Sequence, residues 1–252
     1  MHYIIKKLKG LKYLLFQSSE EKESEKKRLA FYGRFISNND LVFDVGANMG
    51  NRVKIFLQLG AKVVAVEPQK KCYTFLKRKF GEKIFIVAKG AGEKEDKKPF
   101  YVADVSVLST FSENFITETQ KSGRFAKYNW KKAEYIDITT LDLIIKEYGV
   151  PKFIKIDVEG YELEVLKGLS LPINYISFEY ALPEQKDKTI ECIKRISEIT
   201  GNNSLFNYST GESMEFALKE WISTDKMLDL AGSKIFEDTG FGDIYAQSQD
   251  NL

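Results

Sequence analysis

Short apolar runs alternate along the chain with longer stretches whose apolar positions recur at helical spacing. Leu41, Val42, Phe43 and Val45 predict a strand buried on both faces. Val53, Ile55, Phe56, Leu57 and Leu59 then give one apolar side to a helix that Gly60 can end. A strand over 62–68 follows, then a helix over 69–80 with Tyr73, Leu76 and Phe80 inward, then a strand over 84–88. Further on, Thr139 or Thr140 can cap a helix over 141–148 that Gly149 closes. After it come a strand over 152–157, a helix carrying Leu163, Val165, Leu166 and Leu169, and a strand over 175–179. Helices near 184–200 and 218–231, a strand-like 205–208 and a strand over 243–247 complete the pattern. Strands alternating with helices mean an α/β fold around a largely parallel sheet.

Two regions depart from this alternation. Residues 99–110 and 133–138 read as strands outside the βα repeat, while the wholly charged 93–98 reads as a solvated loop. Between the two strands, Phe111–Lys132 mixes Phe111, Phe115, Phe125, Tyr128 and Trp130 with Lys121, Arg124, Lys127, Lys131 and Lys132. The whole insertion runs from about 93 to 138. As a substrate lid it would set aromatic faces against a sugar ring and cations against a phosphate or carboxylate. As a satellite core it would have a solvated basic edge. Ser106, Ser109 and Thr110 stand near enough in sequence to hydrogen-bond a substrate.

The other region is 1–37, read as an N-terminal helical appendage to a domain over 38–252. Ile4, Leu8, Leu11 and Leu15 recur at helical spacing with Lys6, Lys9 and Lys12 between them. Residues 2–16 therefore suit a helix packed on the domain or on a second subunit, as in a homo-oligomer. They also suit a peripheral anchor on anionic lipid, or disorder. The charged run 18–28 reads as a solvated helix start or linker, 29–37 as the helix before the first strand, and the polar 247–252 as a frayed tail.

The candidate chemistry begins where the first strand ends, at Asp44-Val-Gly-Ala-Asn-Met-Gly50. Gly46 and Gly50 let the backbone turn and approach a ligand. The turn's N–H groups then stand at a helix N-terminus, where an anionic or polar group can bind. Glu67, followed by Pro68, closes the second strand at the separation where nucleotide-binding α/β folds place a ribose-binding carboxylate. Asn48 stands where the dinucleotide fingerprint has its second glycine, and Asp44 would repel a pyrophosphate. Both features favour S-adenosylmethionine over NAD. Asp44 would face its ammonium, the turn's N–H groups its carboxylate, and Glu67 its ribose.

Three motifs in order resemble the FkbM-type methyltransferases: Asp44-Val-Gly-Ala-Asn-Met-Gly50, Val66-Glu-Pro68 and Ile154-Lys-Ile-Asp-Val-Glu-Gly-Tyr-Glu162. Thr140-Leu-Asp142 also fits, and the resemblance covers about 38–182. It implies the Rossmann-like class I fold, with a mostly parallel seven-stranded sheet, helices on both faces and an antiparallel last strand. It also implies S-adenosylmethionine as methyl donor and O-methylation of sugars or polyketide-like products. The cofactor set expected is Asp44, Gly46, Ala47, Asn48, Gly50, Glu67, Pro68 and Asp157.

A hydroxyl acceptor needs a base, and the single histidine, His2, lies in the appendage. The expected bases are carboxylates at strand ends: Asp157 first, then Glu159 or Glu179. The same three could instead hold Mg²⁺, and any of them could simply pair with Lys155. The formal net charge of +2 gives no basic field for nucleic acid, which makes RNA methylation the second reading and a non-catalytic nucleoside-binding module the third. Cys72 and Cys192 lie far apart, so two free thiols in a reducing cytosol are expected, with neither zinc site nor disulfide. The acceptor expected is a small molecule, sugar or glycan precursor.

Overall fold

The apolar run before the glycine turn forms a strand with four of its five residues buried. The computed structural model describes residues 19–131 and 134–249. In chain order these form α1 (Ser19–Tyr32), β1 (Leu41–Val45), α2 (Asn51–Gln58), β2 (Lys62–Val66), α3 (Lys70–Phe80) and β3 (Ile84–Val87). The departure from the repeat contains β4 (Gly90–Ala91), β5 (Asp96–Phe100), α4 (Glu113–Lys121) and β6 (Glu134–Thr139). The repeat resumes with α5 (Leu141–Tyr148), β7 (Phe153–Ile156), α6 (Glu162–Lys167), β8 (Tyr175–Ala181) and α7 (Lys186–Ile199). Last come β9 (Ser204–Thr210), β10 (Ile222–Ser223), α8 (Thr224–Gly232), α9 (Lys234–Glu237) and β11 (Phe241–Ser248). All three readings of residues 2–16 fall outside the described residues, as does the last half of the polar tail, 250–252.

The main sheet has the order β10-β9-β11-β8-β7-β1-β2-β3. From β3 to β8 the pairs are parallel, and β11 runs antiparallel between β8 and β9. The chain runs outward from β1 through β2 and β3, then returns to lay β7 on the other side of β1. The crevice between β1 and β7 is thus the switch point where open α/β sheets take their ligands. The eighth strand, β10, lies where a helix was expected to begin: Ile222 and Ser223 pair with β9, and α8 starts only at Thr224.

Alternation along the strands divides the core. Phe43, Val45, Ile154 and Ile156 point to one face, under Ile144, Val165 and Ile193 from α5, α6 and α7. Val42 and Phe153 point to the other, under Phe31, Tyr32 and Phe56 from α1 and α2. Phe35 stacks between Phe153 and Tyr245 at 5.5 and 5.6 Å. From Ser19 onward the charged run is helix, and Phe31, Tyr32 and Phe35 after it are deeply buried. Asp44 and Lys155 are register partners and share this second face, polar positions at the ligand end of otherwise apolar strands.

The insertion differs from expectation. β5 begins inside the charged run and pairs with β6 in a small separate sheet with β4. A solvated edge strand tolerates lysine on its open face. Beyond Phe100 the expected strand reduces to isolated bridges from Tyr101 to Thr110 and from Ala103 to Trp130, with a short 3₁₀ turn at Ser106–Leu108. No helix among the described residues is long and apolar enough to cross a membrane.

Candidate active site

The turn after β1 is shaped by packing as much as by any ligand. Gly46 has φ +87°, and a Cβ there would lie 1.8 Å from the Asp157 carbonyl oxygen. At Gly50, φ +75°, it would meet the Phe80 ring at 2.6 Å. Asn48 also has positive φ, which its short polar side chain tolerates. Four of the turn's N–H groups are engaged within the protein. Those of Gly46 and Ala47 go to the Val66 carbonyl, that of Gly50 to the Ala47 carbonyl, and that of Asn48 to Glu67 Oε2 at 2.7 Å. These four donors fasten the turn to β2, to Glu67 and to itself, so a carboxylate expected at this turn would have to be met by other donors lining the cleft.

Glu67 closes this arrangement. Its Oε1 accepts the Gln69 N–H, also at 2.7 Å, and its side chain is 2% exposed. Burial pushes its carboxyl up to about 7 against the two N–H bonds that favour the charge. Each oxygen keeps a free acceptor site, so the carboxylate can still receive a pair of hydroxyls. Asp44 is also 2% exposed, and its Oδ2 is buried without a partner. Burial raises its carboxyl to about 7, partly offset by Lys155, by Arg52 and by a bond from the Val53 N–H. An orphaned carboxylate oxygen on a cleft wall is a place for a cationic group.

Across the cleft stand Asp157, Glu159 and Glu179, with carboxylate oxygens within 4.8 Å of one another. Glu159 has φ +55°, uncommon for a residue with a Cβ, and Thr110 Oγ1 donates to its carbonyl at 2.7 Å. Beneath the group, Lys155 Nζ donates to Asp157 Oδ2 at 3.1 Å and to Asp243 Oδ1 at 2.8 Å. Lys155 is thus paired, but neither Glu159 nor Glu179 is its partner. Burial, then repulsion from Asp157, lifts both glutamates well above the usual carboxylate range. Burial alone would lower the Lys155 ammonium; Asp157 and Asp243 reverse this and push it well upward.

Asp44, Gly46, Ala47, Asn48, Glu67, Pro68, Asp157, Glu159 and Glu179 all line one cleft of about 250 Å³. Gly50 lies outside it, behind the turn. From the insertion, Phe100, Ser106, Val107, Ser109 and Phe111 form part of the wall. Among the described residues, the rest of the aromatic and basic stretch does not line the cleft. Phe115 is buried, Trp130 Nε1 donates to the Leu108 carbonyl, and Lys121 pairs with Glu118. Arg124 binds Glu184 and the Leu182 carbonyl. Here Phe115, Phe125 and Tyr128 pack on one another, and Arg124 ties the segment to the stretch after β8. Arg52, Gln69, Glu212 and Asp243 were not singled out from the sequence. Arg52 could have been, since it follows the glycine turn on the predicted helix.

Residues 44–221 match the family model described as the methyltransferase FkbM domain. No curated protein matches the chain. Among solved structures, a precorrin-6y C5,15-methyltransferase from Geobacter metallireducens is 9% identical, with 93% of this chain and 90% of that one covered at a TM-score of 0.46. A TehB-like SAM-dependent methyltransferase from Corynebacterium glutamicum is 8% identical, with 88% of each chain covered at 0.45. An rRNA methylase from Streptococcus thermophilus is 10% identical, with 87% and 93% covered at 0.44. At these identities and scores none of the three bears on the acceptor or the reaction.

Proposed function

This chain belongs to the FkbM methyltransferase domain family, whose activity is S-adenosylmethionine-dependent, and we propose that its acceptor is a hydroxyl of a sugar, glycan precursor or related small molecule. The observation that carries this reading is the carboxylate group Asp157, Glu159 and Glu179 on the cleft that Asp44 and Glu67 share. When bound, S-adenosylmethionine supplies an electrophilic methyl group on a sulfonium. The chain must then orient a hydroxyl and take up its proton. Asp44 receives the ammonium on its unpartnered oxygen, and Glu67 receives the ribose hydroxyls.

What supports Glu159 and Glu179 over Asp157 as the proton acceptor is Lys155, which occupies Asp157 Oδ2. Their raised pKa makes them better proton acceptors, and a positive charge in the cleft favours the ionised form that a base requires. Asp157 then positions Lys155 and the floor of the cleft. The three carboxylates are also those that would hold a divalent cation, which would acidify a bound hydroxyl. The Lys155 ammonium at Asp157 weighs against a site using all three. Nucleic acid is disfavoured because the cleft wall is acidic where a phosphate backbone would need cations. Both cysteines are buried and free, which suits the reducing compartment expected from the sequence.

The test is transfer of labelled methyl to a panel of sugar and nucleotide-sugar acceptors, with and without Mg²⁺, beside calorimetric titration with S-adenosylhomocysteine and NAD. The Glu159→Gln/Glu179→Gln double variant should keep S-adenosylhomocysteine affinity and lose turnover. Near-wild-type turnover would remove both residues from the chemistry. Binding of NAD alone would overturn the cofactor assignment.

A further inference from the structure

S-adenosylmethionine carries an α-carboxylate as well as an ammonium, and an acid-lined cleft must supply a cation for it. Among the described residues lining the cleft, Arg52 is the only cation, against Asp44, Glu67, Asp157, Glu159, Glu179 and Glu212. Four of the backbone donors of the glycine turn are engaged within the protein, which leaves the guanidinium as the charged partner on this wall. Arg52 is the second residue of α2, immediately before Val53, whose N–H binds Asp44. Its side chain is 12% exposed, its guanidinium carbon lies 5.8 Å from the centre of the Tyr32 ring, and its Nε is buried without a partner. The ring and the helix hold the guanidinium at the cleft wall.

One carboxylate already occupies it. Both oxygens of Glu212 accept from Arg52 Nη2, at 2.8 and 2.6 Å. Glu212 lies in the turn after β9, beside Gly211, and its side chain is 59% exposed. The two partners are thus unequal: a buried, fixed cation and an exposed anion. An exposed carboxylate loses little on release into water. It also has a second cation at hand, Arg28, whose Nη2 is 3.8 Å from Glu212 Oε2.

We propose that Arg52 binds the cofactor's α-carboxylate and that Glu212 holds this position in the free protein, yielding it by exchange when the cofactor enters. The proposal rests on the methyltransferase reading. Exchange keeps the buried guanidinium paired throughout, so binding leaves no uncompensated cation. It also sets the two charges of the amino-acid moiety on separate groups, the ammonium on Asp44 and the carboxylate on Arg52.

The experiment is calorimetric titration of the full chain with two ligands, S-adenosylhomocysteine and its decarboxylated analogue, which keeps the adenosine and the ammonium. Arg52→Met should weaken S-adenosylhomocysteine by about tenfold or more, the scale of a lost charge-assisted hydrogen bond, and leave the analogue nearly unchanged. Glu212→Gln should tighten S-adenosylhomocysteine, because a weaker competitor is displaced. Equal losses for both ligands in Arg52→Met would mean that Arg52 acts only through the fold, and unchanged binding would mean that it makes no contact. Unchanged or weaker binding in Glu212→Gln would overturn the exchange. If the wild-type chain bound neither ligand, the methyltransferase reading itself would fail along with the proposal.

Discussion

Asp44 bears a cost in the free protein that the cofactor should remove, and Asp44→Asn measures it. The carboxyl ordinarily ionises near 3.8 and in the fold near 7, with burial as the chief cause. Because the folded value is raised, the stabilisation carried by the neutral form is complete below 3.8 and is lost as the pH climbs to about 7. Between pH 5 and pH 8 this loss covers about two units, or about 3 kcal/mol. Asparagine is neutral throughout and can still accept the Val53 N–H. The melting temperature of Asp44→Asn relative to wild type should therefore rise by about 6–12 °C on going from pH 5 to pH 8, at about 2–4 °C per kcal/mol. Glu67 and Glu162 are also raised to about 7; both titrate in each protein, and Glu67 differs between them only by the lesser contribution that the Asp44 charge makes to it. Calorimetric melts of both proteins at the two pH values are the assay. A ligand ammonium on Asp44 favours the ionised form, so S-adenosylhomocysteine should stabilise wild type more at pH 8 than at pH 5 and lose affinity for the variant. A melting difference that does not change with pH would refute the titration argument. Undiminished affinity in the variant would refute the ammonium assignment.

Three further outcomes follow from the geometry. Glu67→Ala should weaken S-adenosylhomocysteine by about tenfold in calorimetry and lower stability by about 1–3 kcal/mol in urea, because the Asn48 and Gln69 N–H groups lose their acceptor. Gly46→Ala should cost more than about 2 kcal/mol, since its Cβ would collide with the Asp157 carbonyl in a left-handed conformation; a wild-type urea midpoint would show that the turn can move aside. Lys155→Met should destabilise by about 3–5 kcal/mol by leaving Asp243 buried without its cation. A neutral result in denaturant would mean that the pair is dispensable.

What was legible in the sequence was local. The strand, glycine turn and helix from Leu41 to Leu59 follow from neighbouring residues alone, and so does an acidic residue closing the next strand. Those features place Asp44 and Glu67 on one cleft before any long-range contact is known. The pairing of Lys155 with Asp243 was not legible, because the two are 88 residues apart and meet only through the strand order. Nor was the engagement of the turn's N–H groups, since no residue type announces which carbonyl a backbone donor will reach. The insertion misled for a related reason: Phe115 and Trp130 look like a binding surface until their burial and partners are known. In the charged run, the strand starting at Asp96 escaped notice because a solvated edge imposes little alternation.

The position of β11 has a consequence for how the enzyme comes into being. This strand is synthesised after every other strand described, yet it lies between β8 and β9 and brings Asp243 against Lys155 beneath the cleft. On a ribosome, the half of the sheet carrying the glycine turn could assemble while β8 and β9 still had no strand between them. Lys155 would then have one carboxylate instead of two. The core under α1 would also stay open, because Phe35 stacks on Tyr245 of β11, so both the cleft floor and the core beneath it close only once that strand is in place.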